Sequence, residues 1–419
     1  MTYAKHREFT ALNDAMVKNY IEKVSIDHCS FPVSRPLDHT MDMDIDEWAK
    51  GKIPFHILRD CIKEGVKIEV HGIYPDFFPL FNKHLGIADV QKIRFGYNTS
   101  KKLYNYVRPH FFWCKRSFDT KTFLVIAVIP GRDYVLQYAS LLRHNLSLLT
   151  RDYENYFTIY RYPHLEDAIA DWSGLHNGFI KPKDLVVLGF VEELQEYFIR
   201  NKGFSKFAKI GDFENSFYRS RRYRVKNSVV NFLTVKFSFW GCISGKIAQC
   251  ICQLGAREII YIGKLGALRS IEDVYSRIFS PTQYYIADYT NTLPPIKVVN
   301  PFVSYFPHLD SRAHVSVPTV VEQDYKQRTC IEDLHAHSID NEISQIALAV
   351  HEFNEKNNSE MCFSSIDFAT DYLRKIDEKN LLNPFYLINK RSFQAKEKKR
   401  MMLQEIGTHF FAYLDKAVA

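Results

Sequence analysis

The chain has 419 residues, long enough to bury a large core and longer than one typical domain. Hydrophobic residues make up 46% and aromatics 15%, which excludes disorder over most of the length. The net charge of +7 comes from 55 basic and 48 acidic residues interspersed along the chain, a balance that suits a soluble protein and argues against a dedicated nucleic-acid binder.

The N-terminus has neither the apolar core of a secretory signal nor the acid-poor character of a transit peptide, and no apolar run approaches the ~18–20 residues that span a bilayer. Eight cysteines without a CxxC pair or a regular framework suit a reducing compartment. The expectation is a cytoplasmic protein with neither membrane nor nucleic acid as a partner.

In chain order, a helical pattern (Leu12, Met16, Tyr20, Ile21) runs into the acidic stretch Asp38–Glu47, where a bound cation and a solvated approach to a helix are both open and no metal is assigned. Val66–Val70 and Thr122–Ile129 read as strands, the second stopped by Pro130-Gly131, and Tyr134–Leu149 has helical spacing. Residues 1–178 are therefore expected to form an N-terminal α/β or α+β domain, with no chemistry assigned to it. A linker near 175–184 leads into a second domain, 179–419.

There Leu185–Phe190 reads as a buried strand and Glu192–Arg200 as a helix. Arg222–Val225, Val229–Val235 and Phe237–Trp240 read as strands, and a turn at Gly241–Gly245 precedes a helix over Lys246–Leu254. Glu258–Ile262 is another buried strand, followed by the Gly-rich turn Gly263-Lys-Leu-Gly-Ala-Leu268. Strand, turn, helix, strand, Gly-rich turn is the order of a mixed α/β sheet with its site at the strand ends. A helix starts near Asp340, and Lys396–Val418 forms a last one with Leu403, Ile406, Phe410 and Leu414 on its apolar side.

Two further pieces, Ile339-Asp-Asn-Glu342 and Phe363-Ser-Ser-Ile-Asp-Phe-Ala-Thr-Asp371, place carboxylates at the edges of apolar runs, where a charge is costly unless it serves a function. Glycines at 263 and 266 let backbone N–H groups approach an anion. Arg222 and Arg224 share one face of a strand; a phosphate ligand and a charged edge strand are both consistent with them. The two histidines of Leu334-His-Ala-His-Ser338 lack a third metal ligand and are expected in an exposed loop.

The segments at 241–268, 339–342 and 363–371 together resemble the nucleoside phosphorylase and nucleosidase superfamily, across residues 180–375. The resemblance implies a phosphorylase-like mixed sheet flanked by helices. It implies that Gly245, Gly263, Lys264 and Gly266 surround the nucleophile or a substrate anion, that Glu342 binds the ribose hydroxyls, and that Asp367 protonates the departing base. No cofactor is implied, and a homo-oligomer is expected.

Four positions depart from the family pattern. Lys264 stands where a hydroxyl residue is usual, Tyr261 where phosphorylases often carry an arginine, Asn341 where a methionine packs on the sugar, and Ile366 where a serine precedes the aspartate. The tail from Asp367 to Asp371 is one residue longer than the family's Asp-Val-Ala-Asp. Losing the arginine removes a bidentate phosphate ligand, which favours water as nucleophile, and Lys264 could pair with a phosphate on the substrate. The expectation is an N-glycosidase acting on a purine nucleoside or nucleotide by hydrolysis. The alternatives are a phosphate-dependent phosphorylase and a non-catalytic nucleoside or nucleotide sensor on the same fold.

Overall fold

The computed structural model describes residues 14–21, 25–26, 39–40, 45–94, 109–119, 121–200, 207–287, 292–378 and 393–417. Leu12, Asp38 and residues 41–44 of the acidic stretch, and Val418 of the last helix lie outside the described residues.

The first sheet holds β1 (Ser25–Ile26), β2 (Ile68–His71), β3 (Ile87–Lys92), β4 (His110–Arg116), β5 (Thr122–Ala127) and β6 (Phe157–Arg161), in the order β1-β6-β2-β5-β4-β3. The apolar run after Thr122 becomes β5, which lies parallel to β2 on one side and antiparallel to β4 on the other. Pro130-Gly131 then turns the chain into the helix Arg132–Ser147, which begins two residues earlier than its spacing suggests.

The second sheet holds β7 (Leu185–Gly189), β8 (Ala208–Glu214), β9 (Tyr218–Val225), β10 (Ser228–Val235), β11 (Glu258–Ala267), β12 (Ile278–Phe279), β13 (Gln283–Ile286), β14 (Ile296–Lys297), β15 (His314–Ser316), β16 (Ser338–Asp340) and β17 (Cys362–Tyr372). Its order is β14-β13-β15-β16-β11-β7-β10-β9-β8, with β17 pairing β11 and β12. Parallel and antiparallel pairs are mixed: β11 runs parallel to β7 and β17 and antiparallel to β16. The architecture is thus mixed α/β, with helices flanking the sheets.

Four local expectations change. Phe237–Trp240 is not a strand, because β10 ends at Val235 and the chain continues as loop to Trp240. The Gly-rich segment at 263–267 is not a turn but the second half of β11, because its backbone is paired along β17 through Ala267. Strand β9 is not at an edge; β8 pairs its outer side. Gly245 is not in a turn but inside the helix Cys242–Gln253, where a Cβ would lie 3.1 Å from the Gln345 carbonyl, so its role is close packing against the helix Ile343–Asn357.

Apolar side chains of both sheets, from Ile68 and Leu124 to Ile260, Phe363 and Ile366, form one buried cluster. The last helix, Phe393–Ala417, docks on it through Leu403, Ile406, Phe410 and Leu414. Its Tyr413 donates to the buried Glu258 at 2.8 Å, and Ser364 donates to the other carboxylate oxygen at 2.7 Å. No helix among the described residues is long and apolar enough to cross a membrane.

Candidate functional site

Two cavities meet at one pair of residues. The larger, about 360 Å³, is walled by Phe190, Phe237, Phe239, Trp240 and Tyr261, with Glu192 and Glu193 among its polar residues. The smaller, about 160 Å³, holds Asp340, Asn341, Thr370 and Asp371, together with Thr40 from the N-terminal half. Lys264 and Glu342 line both.

Glu342 sits at the junction because β16 ends at Asp340 and the chain turns at once into the helix Ile343–Asn357. The carboxylate of Asp340 caps that helix by accepting the Ile343 N–H at 2.9 Å, and it also lies 2.8 Å from His314 Nε2. Tyr261, on β11, donates its hydroxyl to Glu342 Oε1 at 2.8 Å. Burial, reinforced by the neighbouring charge of Asp340, pushes the Glu342 carboxyl up to about 8, against the opposing effects of Tyr261 and Lys264. The shift favours the protonated form of Glu342, which offers both a donor and an acceptor.

Asp367 does not reach either cavity. It is fully buried, takes a hydrogen bond from Ser365, and lies so close to Gly263 that a Cβ there would stand 2.8 Å from its Oδ1 and overlap the Tyr261 ring. Burial holds its carboxyl well above the usual range. The hydroxyl support missing at Ile366 comes from Ser365 instead.

Of the two aspartates in the 363–371 segment it is Asp371 that lines the smaller cavity, and it follows a β-bulge. Leu265 pairs with Ala369 but Gly266 pairs with Asp371, so Thr370 is an extra residue on β17. A bulge re-aims the side chains beyond it. Without it, Asp367 and Asp371 would share one face of the strand. The additional residue in the 367–371 tail was the visible sign in the sequence, although it did not say which aspartate would face the cavity.

The remaining expected residues separate into two groups. Lys264 is exposed at the junction, and Asn341 lines the smaller cavity while donating to the Val317 carbonyl at 2.6 Å. Gly263 borders the larger cavity and Gly266 the smaller. Arg222 and Arg224 border neither: Arg222 forks onto Asp184 at 2.8 and 2.9 Å, and Arg224 is exposed. The cluster instead approaches the site through Arg219, which pairs at 2.9 Å with Glu192 of the larger cavity. Lys399 of the last helix pairs with Glu193 at 3.4 Å and stands 3.9 Å over the Phe190 ring. Of the two loop histidines, His337 is held 2.8 Å from Asp310.

Sequence reasoning missed Asp371, Thr40 and the aromatic wall. For the wall, the only signal was the aromatic density of Phe237–Trp240, which also fits a strand.

No family model matches the chain. A curated relative, oxidoreductase cns1 of Cordyceps militaris, is 28% identical over 379 residues, covering 86% of this chain and 47% of the relative. The chain thus spans about half the length of that relative. Among solved structures, an MTA/SAH nucleosidase is 12% identical, with 56% of this chain and 97% of the other covered at a TM-score of 0.43. The 5'-methylthioadenosine nucleosidase of Arabidopsis thaliana gives 12% identity and a TM-score of 0.39 over 56% of this chain and 97% of the other. A futalosine hydrolase mutant of Helicobacter pylori gives 11% and 0.36 over 53% and 99%.

Proposed function

We propose that this chain is an N-glycosidase that hydrolyses a purine nucleoside or nucleotide. The observation that carries the proposal is the meeting of Glu342, Asn341 and Asp371 on one cavity that opens, past Lys264, into an aromatic chamber. The ribose lies over Glu342, whose protonated carboxyl both donates to and accepts from a sugar diol. The base lies toward Asn341 and Asp371.

Asp371 gives a proton to the purine ring, the C–N bond breaks with its electron pair moving to the base, and water adds at the anomeric carbon and loses a proton. General-acid help of this kind is worth about 10²–10⁴ in rate. Positive charge grows on the sugar during cleavage, and the carboxyl groups of Asp340, Glu342 and Asp371 line the cavity that holds it. Lys264 faces a 5′-phosphate when the substrate is a nucleotide. The oxidoreductase name belongs to a relative more than half of which lies outside the match, so the activity behind it can reside elsewhere in that protein.

The experiment is base release from adenosine, inosine, guanosine and their 5′-monophosphates, with and without inorganic phosphate. Free base and ribose formed without phosphate is the expected result. Release only with phosphate makes the protein a phosphorylase, binding without release makes it a sensor, and no binding of any of the six overturns the proposal.

A further inference from the structure

The wall of the larger cavity formed by Phe237–Trp240 follows the end of β10 and stops at Gly241, whose φ of 66° favours glycine. Both ends of this turn are gripped. On the side of the site, the Gly241 N–H donates to the Asn341 carbonyl at 2.8 Å. On the other side the grip comes from the N-terminal half, at the start of the helix Arg132–Ser147.

Three contacts make that grip. The fully buried Asp133 accepts the Cys242 N–H at 2.6 Å, while Arg132 donates to its other oxygen at 2.8 Å. The Tyr134 ring stacks on Trp240 with centroids 4.0 Å apart and planes 26° from parallel. Close packing completes it: a Cβ on Gly241 would lie 2.7 Å from Asp133, and one on Gly131 would lie 2.7 Å from Ile243. A second attachment reaches the smaller cavity. Thr40 lines it and is tied through its N–H to the Gln323 carbonyl at 3.2 Å, and Arg374 donates to the Thr40 carbonyl at 3.2 Å.

We propose that the N-terminal half is a positioning part of the nucleoside site: Asp133 and Tyr134 set the aromatic wall through Cys242 and Trp240, and Thr40 closes the smaller cavity. This rests on the nucleoside reading of the site. The physical reason is positioning: the aromatic wall shares its cavity with Glu342 and Lys264, so it confines the ribose and its 5′ substituent only if the loop itself is held in place, and here the immobilising contacts come from a different sheet.

The test uses the full chain with adenosine as probe, comparing wild type, Tyr134→Leu, Tyr134→Phe and Asp133→Asn. Amide hydrogen exchange over 238–243 reports the wall, and kcat and KM report the site. A stacked aromatic pair sets the expected size, so Tyr134→Leu raises KM about three- to tenfold, with kcat changed less than KM and exchange over 238–243 increased. Tyr134→Phe keeps the ring and restores both, and Asp133→Asn covers the case in which the leucine variant fails to fold. A folded Tyr134→Leu or Asp133→Asn with unchanged exchange over 238–243, or with raised exchange and unchanged KM, overturns the proposal. Wild-type protein that binds none of the six nucleosides and monophosphates overturns the nucleoside reading, and exchange then still decides whether the N-terminal half holds this wall.

Discussion

The Tyr261 hydroxyl donates to Glu342 Oε1 across 2.8 Å, with the tyrosine ring buried and the carboxyl half-buried where the two cavities meet. A tyrosine at a position where phosphorylases often place an arginine is thus more than a lost phosphate ligand. It orients the carboxyl assigned to the sugar, and it leaves the second oxygen of that carboxyl for a ligand.

Removing that hydroxyl tests its role. Tyr261→Phe deletes the donor that orients the half-buried Glu342 carboxyl, which costs about 1–3 kcal/mol, or roughly ten- to a hundredfold in kcat/KM. Steady-state kinetics on the preferred nucleoside check it. Unchanged kinetics would show that Glu342 needs no help from Tyr261.

The half-buried Glu342 makes stability depend on pH. Its carboxyl titrates near 8 in the folded chain and near 4.5 when unfolded, so the folded state binds more protons between those values. The contribution of Glu342 to stability is therefore fully present below about pH 4.5 and is lost as pH rises toward 8. Glu342→Gln, which cannot ionise, should flatten that part of the profile. Urea denaturation at pH 5, 6.5 and 8 measures it, and parallel profiles for the two proteins would contradict the assignment.

Two aspartates on one strand should behave differently. Asp371→Asn is expected to lower kcat by about 10²–10⁴, the value of general-acid catalysis. Asp367→Asn replaces a fully buried carboxyl that stays out of both cavities with an amide of the same shape, so its kcat should remain within about tenfold of wild type. The opposite ranking in single-turnover assays would return the acid to Asp367.

Lys264 decides between nucleoside and nucleotide. A charge-assisted bond to a 5′-phosphate is worth about 1.5–3 kcal/mol, so Lys264→Met should reduce kcat/KM for a monophosphate roughly ten- to a hundredfold more than for its parent nucleoside. Equal losses on the two substrates would leave a nucleoside hydrolase.

Arg222 is expected to matter for folding alone. Its fork onto Asp184, whose side chain is 1% exposed, is a pair whose disruption strands a buried charge. Arg222→Ala should therefore cost about 3–5 kcal/mol of stability. Denaturant midpoints check the loss, and substrate selectivity should not move. Changed preference between nucleoside and nucleotide would restore Arg222 to the site.

What the amino-acid sequence determined by itself is what short-range periodicity and composition can carry. The continuous apolar run at 122–129 could only be a buried strand, Pro130-Gly131 had to stop it, and the apolar stripe from Leu403 to Leu414 needed a core to cover it. Ile339–Glu342 marked a carboxylate at a helix start, and Glu342 is where the two cavities meet.

Tertiary structure decided the rest, because it depends on pairing between distant strands. Gly263–Ala267 has the composition of a turn, yet β17 supplies partners for its backbone and makes it a strand. Asp371 and not Asp367 lines the cavity, just past a bulge at Thr370, and no local pattern encodes which residue of a strand will bulge. Arg222 and Arg219 are alike in the sequence, but one meets Asp184 and the other meets Glu192 only after folding. The same holds for Asp133, Tyr134 and Thr40, whose places beside the site follow from how the two sheets pack, a long-range fact that the spacing of residues along one chain does not contain.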